Sequence, residues 1–129
     1  MSLSLESPPL LGTPEQALLS FAEALSVGDL DAATSCFARD AYLLTPDATA
    51  IRGRDEIRSI LAQLIDRRIQ IRVQASKMLT VGEVALGSER WTMHSEGIGG
   101  SAFEQTCSPT VVLHRIEGVW KLAIAAPWG

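Results

Sequence analysis

The chain has 129 residues, 47% of them hydrophobic and 20% charged, with a formal net charge of -4. That length supports one domain around a single core. The acidic balance, with no basic cluster beyond Arg67-Arg68 and Arg72, excludes a general nucleic-acid binder, which needs cations to release counterions from phosphate.

Residues 1–12, with Pro8-Pro9 and scattered leucines, read as a tail ahead of one domain over residues 13–129. They show neither the basic start and apolar run of a signal peptide nor a membrane span, so a cytoplasmic protein without a membrane partner is expected. The first helix opens on Thr13-Pro14-Glu15-Gln16, a capping-box pattern with proline at the first helical position. Leu18, Phe21, Ala22 and Leu25 then recur at helical spacing. Gly28 suits the left-handed residue that ends a helix, and Asp29 can cap a short second helix carrying Ala33 and Phe37. A strand is expected over Ala41–Leu44, a turn at Pro46-Asp47 and a return strand over Thr49–Ile51. Gly53 and Asp55 open a third helix whose buried side is Ile57, Ile60, Leu61 and Leu64.

From Arg68 the period becomes two. Ile69, Ile71, Val73 and Ala75 fall on one face and Arg68, Gln70, Arg72 and Gln74 on the other, as in a half-buried strand. Strands are predicted over Arg68–Val81, Val84–His94, Ala102–Arg115 and Val119–Ala126, with Gly97–Gly100 as a loop and Glu117-Gly118 as the last hairpin turn. Helices followed by long antiparallel strands give an α+β fold, the helices segregated on one face of a curved sheet.

The Gly28-Asp29 helix pair, Phe37–Ala41, Gly53–Ile57 and the closing Leu113–Lys121 together resemble the NTF2-like superfamily, in the branch of SnoaL-like and ketosteroid isomerase-like proteins. The resemblance implies a cone-shaped antiparallel sheet wrapped around a hydrophobic pocket, with three helices on its concave face. Phe21, Tyr42, Thr45, Leu61, Trp91, Val111 and Trp128 are the ligand-binding positions it implies. The isomerase roles do not carry over: the tyrosine falls at Phe21, the aspartate base at Thr45, and the protonated aspartic acid at Val111 or Val112. That constellation is the one described for ketosteroid isomerase, and none of its groups is present.

Other acid–base candidates are His94, with a reference pKa suited to the task, Asp47, close to the expected base position, and Glu89. Glu89 alternates with Trp91 and Met93. If that face lines the pocket it is a buried carboxyl with a raised pKa; if not, it is a surface charge, which is the expectation. Glu96 and Glu104 are further acids, and His114 reads as exposed. Cys36 and Cys107 make no disulfide framework. Cys36 reads as a small buried hydrophobe, and Cys107 has no histidine placed to activate it. No spacing suggests a metal site, and no cofactor is implied.

Three functions compete. The first is binding of a small apolar molecule without isomerase catalysis. The second is an enzyme of cyclase, isomerase or dehydratase type using His94, Asp47 or Glu89, and the third is a dimerisation or association module. The sequence favours the first. A pocket with a buried carboxylate or imidazole supports the second, a dry pocket the first, and a collapsed cone the third. A homodimer through the outer sheet face is expected because Val84–His94 carries apolar residues on both faces.

Overall fold

The computed structural model describes residues 12–45, 47–95 and 102–127. Within them the chain runs α1 (Pro14–Val27), α2 (Leu30–Ser35), β1 (Phe37–Leu44), β2 (Ala50–Arg52), α3 (Arg54–Asp66), β3 (Gln70–Val81), β4 (Val84–Ser95), β5 (Phe103–Cys107), β6 (Thr110–Ile116) and β7 (Val119–Ala126). The tail over 1–11, Pro46, Glu96, the Gly97–Gly100 loop and Trp128 lie outside the described residues.

The helix starts form as their caps dictate. The Gln16 amide donates to Thr13 Oγ1 and the Thr13 amide to the Gln16 side chain, closing the capping box. Gly28 ends α1 at φ 81°, and Asp29 then accepts the Ala32 amide. Leu18, Phe21 and Leu25 of α1 and Ile57 and Leu61 of α3 are buried with Phe37 and Trp120, while Leu64 is half-buried. Phe21 and Phe37 meet edge to face at 5.3 Å between ring centres.

The sheet order is β2-β1-β7-β6-β4-β3, with β5 pairing beside the second half of β4. Its pairs are antiparallel except β1 with β7, which run parallel, so the wholly antiparallel sheet expected from sequence is corrected at that one seam. Breaks in register at Phe37/Tyr42, Val73/Ala75 and Val112/Leu113 curve the sheet around the helices.

The elements depart from the sequence expectation in three ways that bear on the site. β1 begins at Phe37, one residue after α2 ends at Ser35, rather than at Ala41, so Phe37 belongs to the sheet and not to the second helix. The strand predicted over Ala102–Arg115 is two, because Pro109 has no amide for a ladder and interrupts the pairing. β4 then pairs with β6 along its first half and with β5 along its second. In β3 the alternation holds only to Val73. The bulge at Gln74 reverses the faces, so Ala75 points outward with Arg90, and Ser76, though exposed, shares the inner face with Glu89.

Candidate functional site

The concave face of the sheet and the two long helices enclose an apolar space. Phe21 comes from α1, Leu61 and Leu64 from α3, Phe37 and Leu43 from β1, Ile71 from β3 and Trp91 from β4; Met93, Leu122, Ala125 and Pro127 complete the lining. Every lining side chain is apolar, and the space left between them is about 10 Å³. That is room for about one water molecule, far below the several hundred Å³ of a preformed ligand pocket. The cone is closed by its own side chains. Larger concavities are open grooves outside it, such as one of about 470 Å³ between α1 and the start of β7 that includes Cys36, Trp120 and Lys121.

A polar cluster adjoins the apolar space. Glu89 stands on the inner face of β4 and is only 5% exposed, against the expectation of a surface charge. Its Oε2 accepts a 2.8 Å hydrogen bond from the Ser76 hydroxyl, and its Oε1 has no partner. The Trp91 indole N–H, two residues along the same face, is also buried without a completed hydrogen bond, although it is close enough to favour the carboxylate. Burial pushes the Glu89 carboxyl above the usual range; Ser76 and Trp91 oppose this, and the Glu15 charge adds to it. Space around the cluster is tight. A Cβ on Gly87 would lie 2.7 Å from Val111 Cγ2, 2.8 Å from Met78 Sδ and 2.9 Å from Glu89 Oε2.

The other predicted positions scatter. Phe21, Leu61 and Trp91 share the apolar space. Val111 is buried on the inner face beside Gly87, outside that lining, and Val112 faces outward. Tyr42 is on the convex face, its ring 5.7 Å from the Arg52 guanidinium, because Ala41 and Leu43 take the inward positions of β1. Thr45 is also outside the apolar space: its hydroxyl donates to Asp47 and accepts the Thr49 amide in the turn after β1. Asp47 is exposed; its Oδ1 accepts from the Thr45 hydroxyl and from the Thr49 amide, and these bonds hold its carboxyl below the usual range.

The acid–base candidates do not converge. Glu89 and His94 project from opposite faces of β4, roughly 17 Å apart along a strand rising ~3.3 Å per residue. β6 and β7 separate β4 from β1, the strand that leads to Asp47. Glu104 and His114 are exposed. Both cysteines are free and half-buried, and burial raises both thiols, so neither is poised as a thiolate. Among the described residues no group of His, Cys, Asp or Glu is placed to hold a metal, and no helix is long and apolar enough to cross a membrane.

Sequence reasoning missed Ser76 as a site residue, because the alternation around it carries no sign of the bulge. The available signal was Gly87, whose position in a strand interior marks a close approach.

The convex face carries a row of apolar side chains across five neighbouring strands. Leu79 of β3 pairs with Leu86 of β4, Leu86 with Val112 of β6, Val112 with Ile124 of β7, and Ile124 with Tyr42 of β1. Leu79, Leu86, Ile124 and Tyr42 are exposed and Val112 half-buried. At ~4.8 Å per strand the row runs about 19 Å.

The family described as SnoaL-like domain matches residues 15–124. None of the curated proteins matches the chain. Among solved structures, a protein provisionally named a calcium/calmodulin-dependent protein kinase II association domain, from Xanthomonas campestris, superposes with a TM-score of 0.77 at 16% identity over 98% of this chain and 90% of its own. One provisionally named a dehydratase of the NTF2-like family, from Streptomyces avermitilis, gives 0.78 at 21% identity, covering 87% and 90%. An NTF2-like protein with a cystatin-like fold from Novosphingobium aromaticivorans gives 0.73 at 11%, covering 86% and 75%. At these identities the likeness is one of fold.

Proposed function

The chain belongs to the SnoaL-like domain family, and on that premise we propose that it is an association module pairing with a second copy of itself through the convex face of its sheet. The observation that carries this reading is the apolar row from Leu79 to Tyr42, because contiguous exposed apolar surface of that extent is uncommon on monomers. A two-fold axis across the row buries it against itself with one self-complementary surface. The closed cone supports the same reading, since it leaves no preformed space for a substrate. So does the dispersal of His94, Asp47 and Glu89, which supplies no convergent acid–base set for cyclase, isomerase or dehydratase chemistry.

Light scattering of the purified chain tests this. The expected mass is twice the 13.9 kDa of one chain, and Leu86→Glu with Ile124→Glu is expected to give a folded monomer. A wild-type monomer at micromolar concentration sinks the proposal.

A second reading, binding of a small apolar molecule on the concave face, is favoured by a separate observation. The lining is apolar throughout, and it includes the aromatic rings of Phe21, Phe37 and Trp91. Pairing through the convex face leaves the concave face free, so the two readings are compatible.

A further inference from the structure

We propose that a groove on the outer side of the sheet binds the oxyanion of a small organic acid, with Arg72 as its principal cation. The groove runs where the start of β3 and the end of β4 meet the C-terminus of α1, in two adjoining parts that share Ser26, Val27 and Gln70. One part, of about 210 Å³, also takes in Arg72, Thr92 and His94; the other, of about 400 Å³, takes in Arg68. Both lie outside the closed cone. His94 is also eight residues along β4 from Leu86 of the convex row, about 26 Å at ~3.3 Å per residue, so the groove is a surface separate from that row.

Strand register brings the polar side chains together. Gln70 stands opposite His94, and Arg72 opposite Thr92, on the outer face. Arg72 and His94 are therefore diagonal neighbours, about 7–8 Å apart at the backbone and within reach of long side chains. What these groups have left to offer is mostly donors. The Thr92 hydroxyl is only 6% exposed and accepts from the Gln74 side-chain amide at 3.2 Å, which leaves its own hydrogen to give. Arg68 and Arg72 take part in neither ion pair found among the described residues, Arg58–Asp31 and Arg115–Glu83. Ser26 is already engaged, because it exchanges hydrogen bonds with the Ile71 backbone. A guanidinium fork, a hydroxyl hydrogen and the Gln70 amide hydrogens call for an acceptor, and a carboxylate or phosphate presents several oxygens to them. Acids stand at the margins, Glu104 opposite His94 on β5 and Asp66 in the part with Arg68. Among the described residues none lines the part that holds Arg72.

Backbone conformation at Arg68 points the same way. Its φ is 57°, in the left-handed region. Its amide donates to the Ile65 carbonyl and the Ile69 amide to the Leu64 carbonyl, the helix ending at which glycine is favoured. Gly28 fills the corresponding place after α1. At the end of α3 the chain instead carries a strained arginine, and its side chain lines the groove. A cation there also complements the C-terminus of α3, but Arg72 lies out on the strand, where no helix end accounts for it. Val27, 72% exposed, and Ile71 offer apolar surface beside the cation, which suits a single-ring or short-chain body.

Benzoate, phenyl phosphate and benzamide serve as probes. The first two carry the two oxyanions on one ring, and the third keeps the shape of benzoate without its charge. Binding is followed by the ring resonances of the two histidines, His94 at the groove and His114 on β6 as the internal control. At least one acid is expected to move the His94 signals saturably and leave His114 unmoved. That acid binds about tenfold more tightly than benzamide, as charge-assisted hydrogen bonds would give, and the tighter of the two acids identifies the ligand's anionic group. Arg72→Gln is expected to bring the ratio near one, Arg72→Lys to retain part of it, and Thr92→Val to weaken the acid several-fold. Arg72 is exposed, so its variants are expected to fold. Equal binding of acid and amide overturns the proposal, as does an Arg72→Gln variant that binds the acid like wild type. So does failure of every probe to bind up to its solubility limit. None of these results bears on pairing through the convex face, whose own test reads mass.

Discussion

The Ser76 hydroxyl donates to Glu89 Oε2 at 2.8 Å across the β3–β4 ladder, and it reaches that oxygen because the bulge at Gln74 turns Ser76 to the inner face. Removing the hydroxyl leaves a buried carboxyl with both oxygens unpaired, apart from the nearby indole. Ser76→Ala is therefore expected to destabilise the fold by about 1–2 kcal/mol. Urea denaturation measures this, and an unchanged midpoint would falsify the assignment of this bond.

The same carboxyl makes stability depend on pH in a definite direction. Its folded pKa is raised, chiefly by burial, with Glu15 of α1 adding a like charge. Between the ordinary glutamate range and that raised value the folded state holds more protons than the unfolded one, so this group's contribution falls as pH rises. Asp47 and Glu83, whose carboxyls are lowered by hydrogen bonds to Thr45 and Thr49 and to Arg115, act in the opposite direction as pH falls. Glu89→Gln removes only the first effect. The wild type is expected to lose stability relative to this variant as pH is raised above the usual carboxylate range, and a difference that stays constant with pH contradicts the raised pKa.

Gly87 tests the packing around the cluster. Its φ is ordinary, but an added methyl would sit within 3 Å of Val111, Met78 and Glu89. Gly87→Ala is expected to cost about 1–3 kcal/mol through overpacking. Thermal denaturation checks it, and a variant as stable as wild type shows that Met78 and Glu89 yield freely.

Isomerisation of a 5-ene-3-ketosteroid is expected to be absent. Phe21 offers no hydroxyl, Thr45 is engaged in a turn, and Val111 is inert on the inner face. Loss of one oxyanion donor alone lowers rate by on the order of 100-fold or more. An absorbance assay for the conjugated product reads this directly, and turnover above buffer that disappears in a concave-face variant refutes the expectation.

What the sequence by itself determined was local. Thr13 with Gln16, Gly28 with Asp29, and the periodic apolar residues of α1 and α3 act through neighbours within a turn or two, so the caps and buried faces could be read from spacing. The hairpin at Glu117-Gly118, both with positive φ, was legible for the same reason. The parallel seam of β1 with β7 joins residues some 80 positions apart, and no local pattern specifies such a partner. The bulge at Gln74 is likewise a compromise between strands. One extra residue in β3 reverses its faces, moving Ala75 outward and Ser76 inward, while the sequence continues to alternate. Glu89 was a candidate from its alternation with Trp91 and Met93, but its contact with Ser76 depended on that reversal. The convex row of Leu79, Leu86, Val112, Ile124 and Tyr42 likewise emerges only when five strands are placed in register. Tertiary structure decided these features because each depends on the alignment of distant segments, and the free energy of that alignment belongs to the whole sheet.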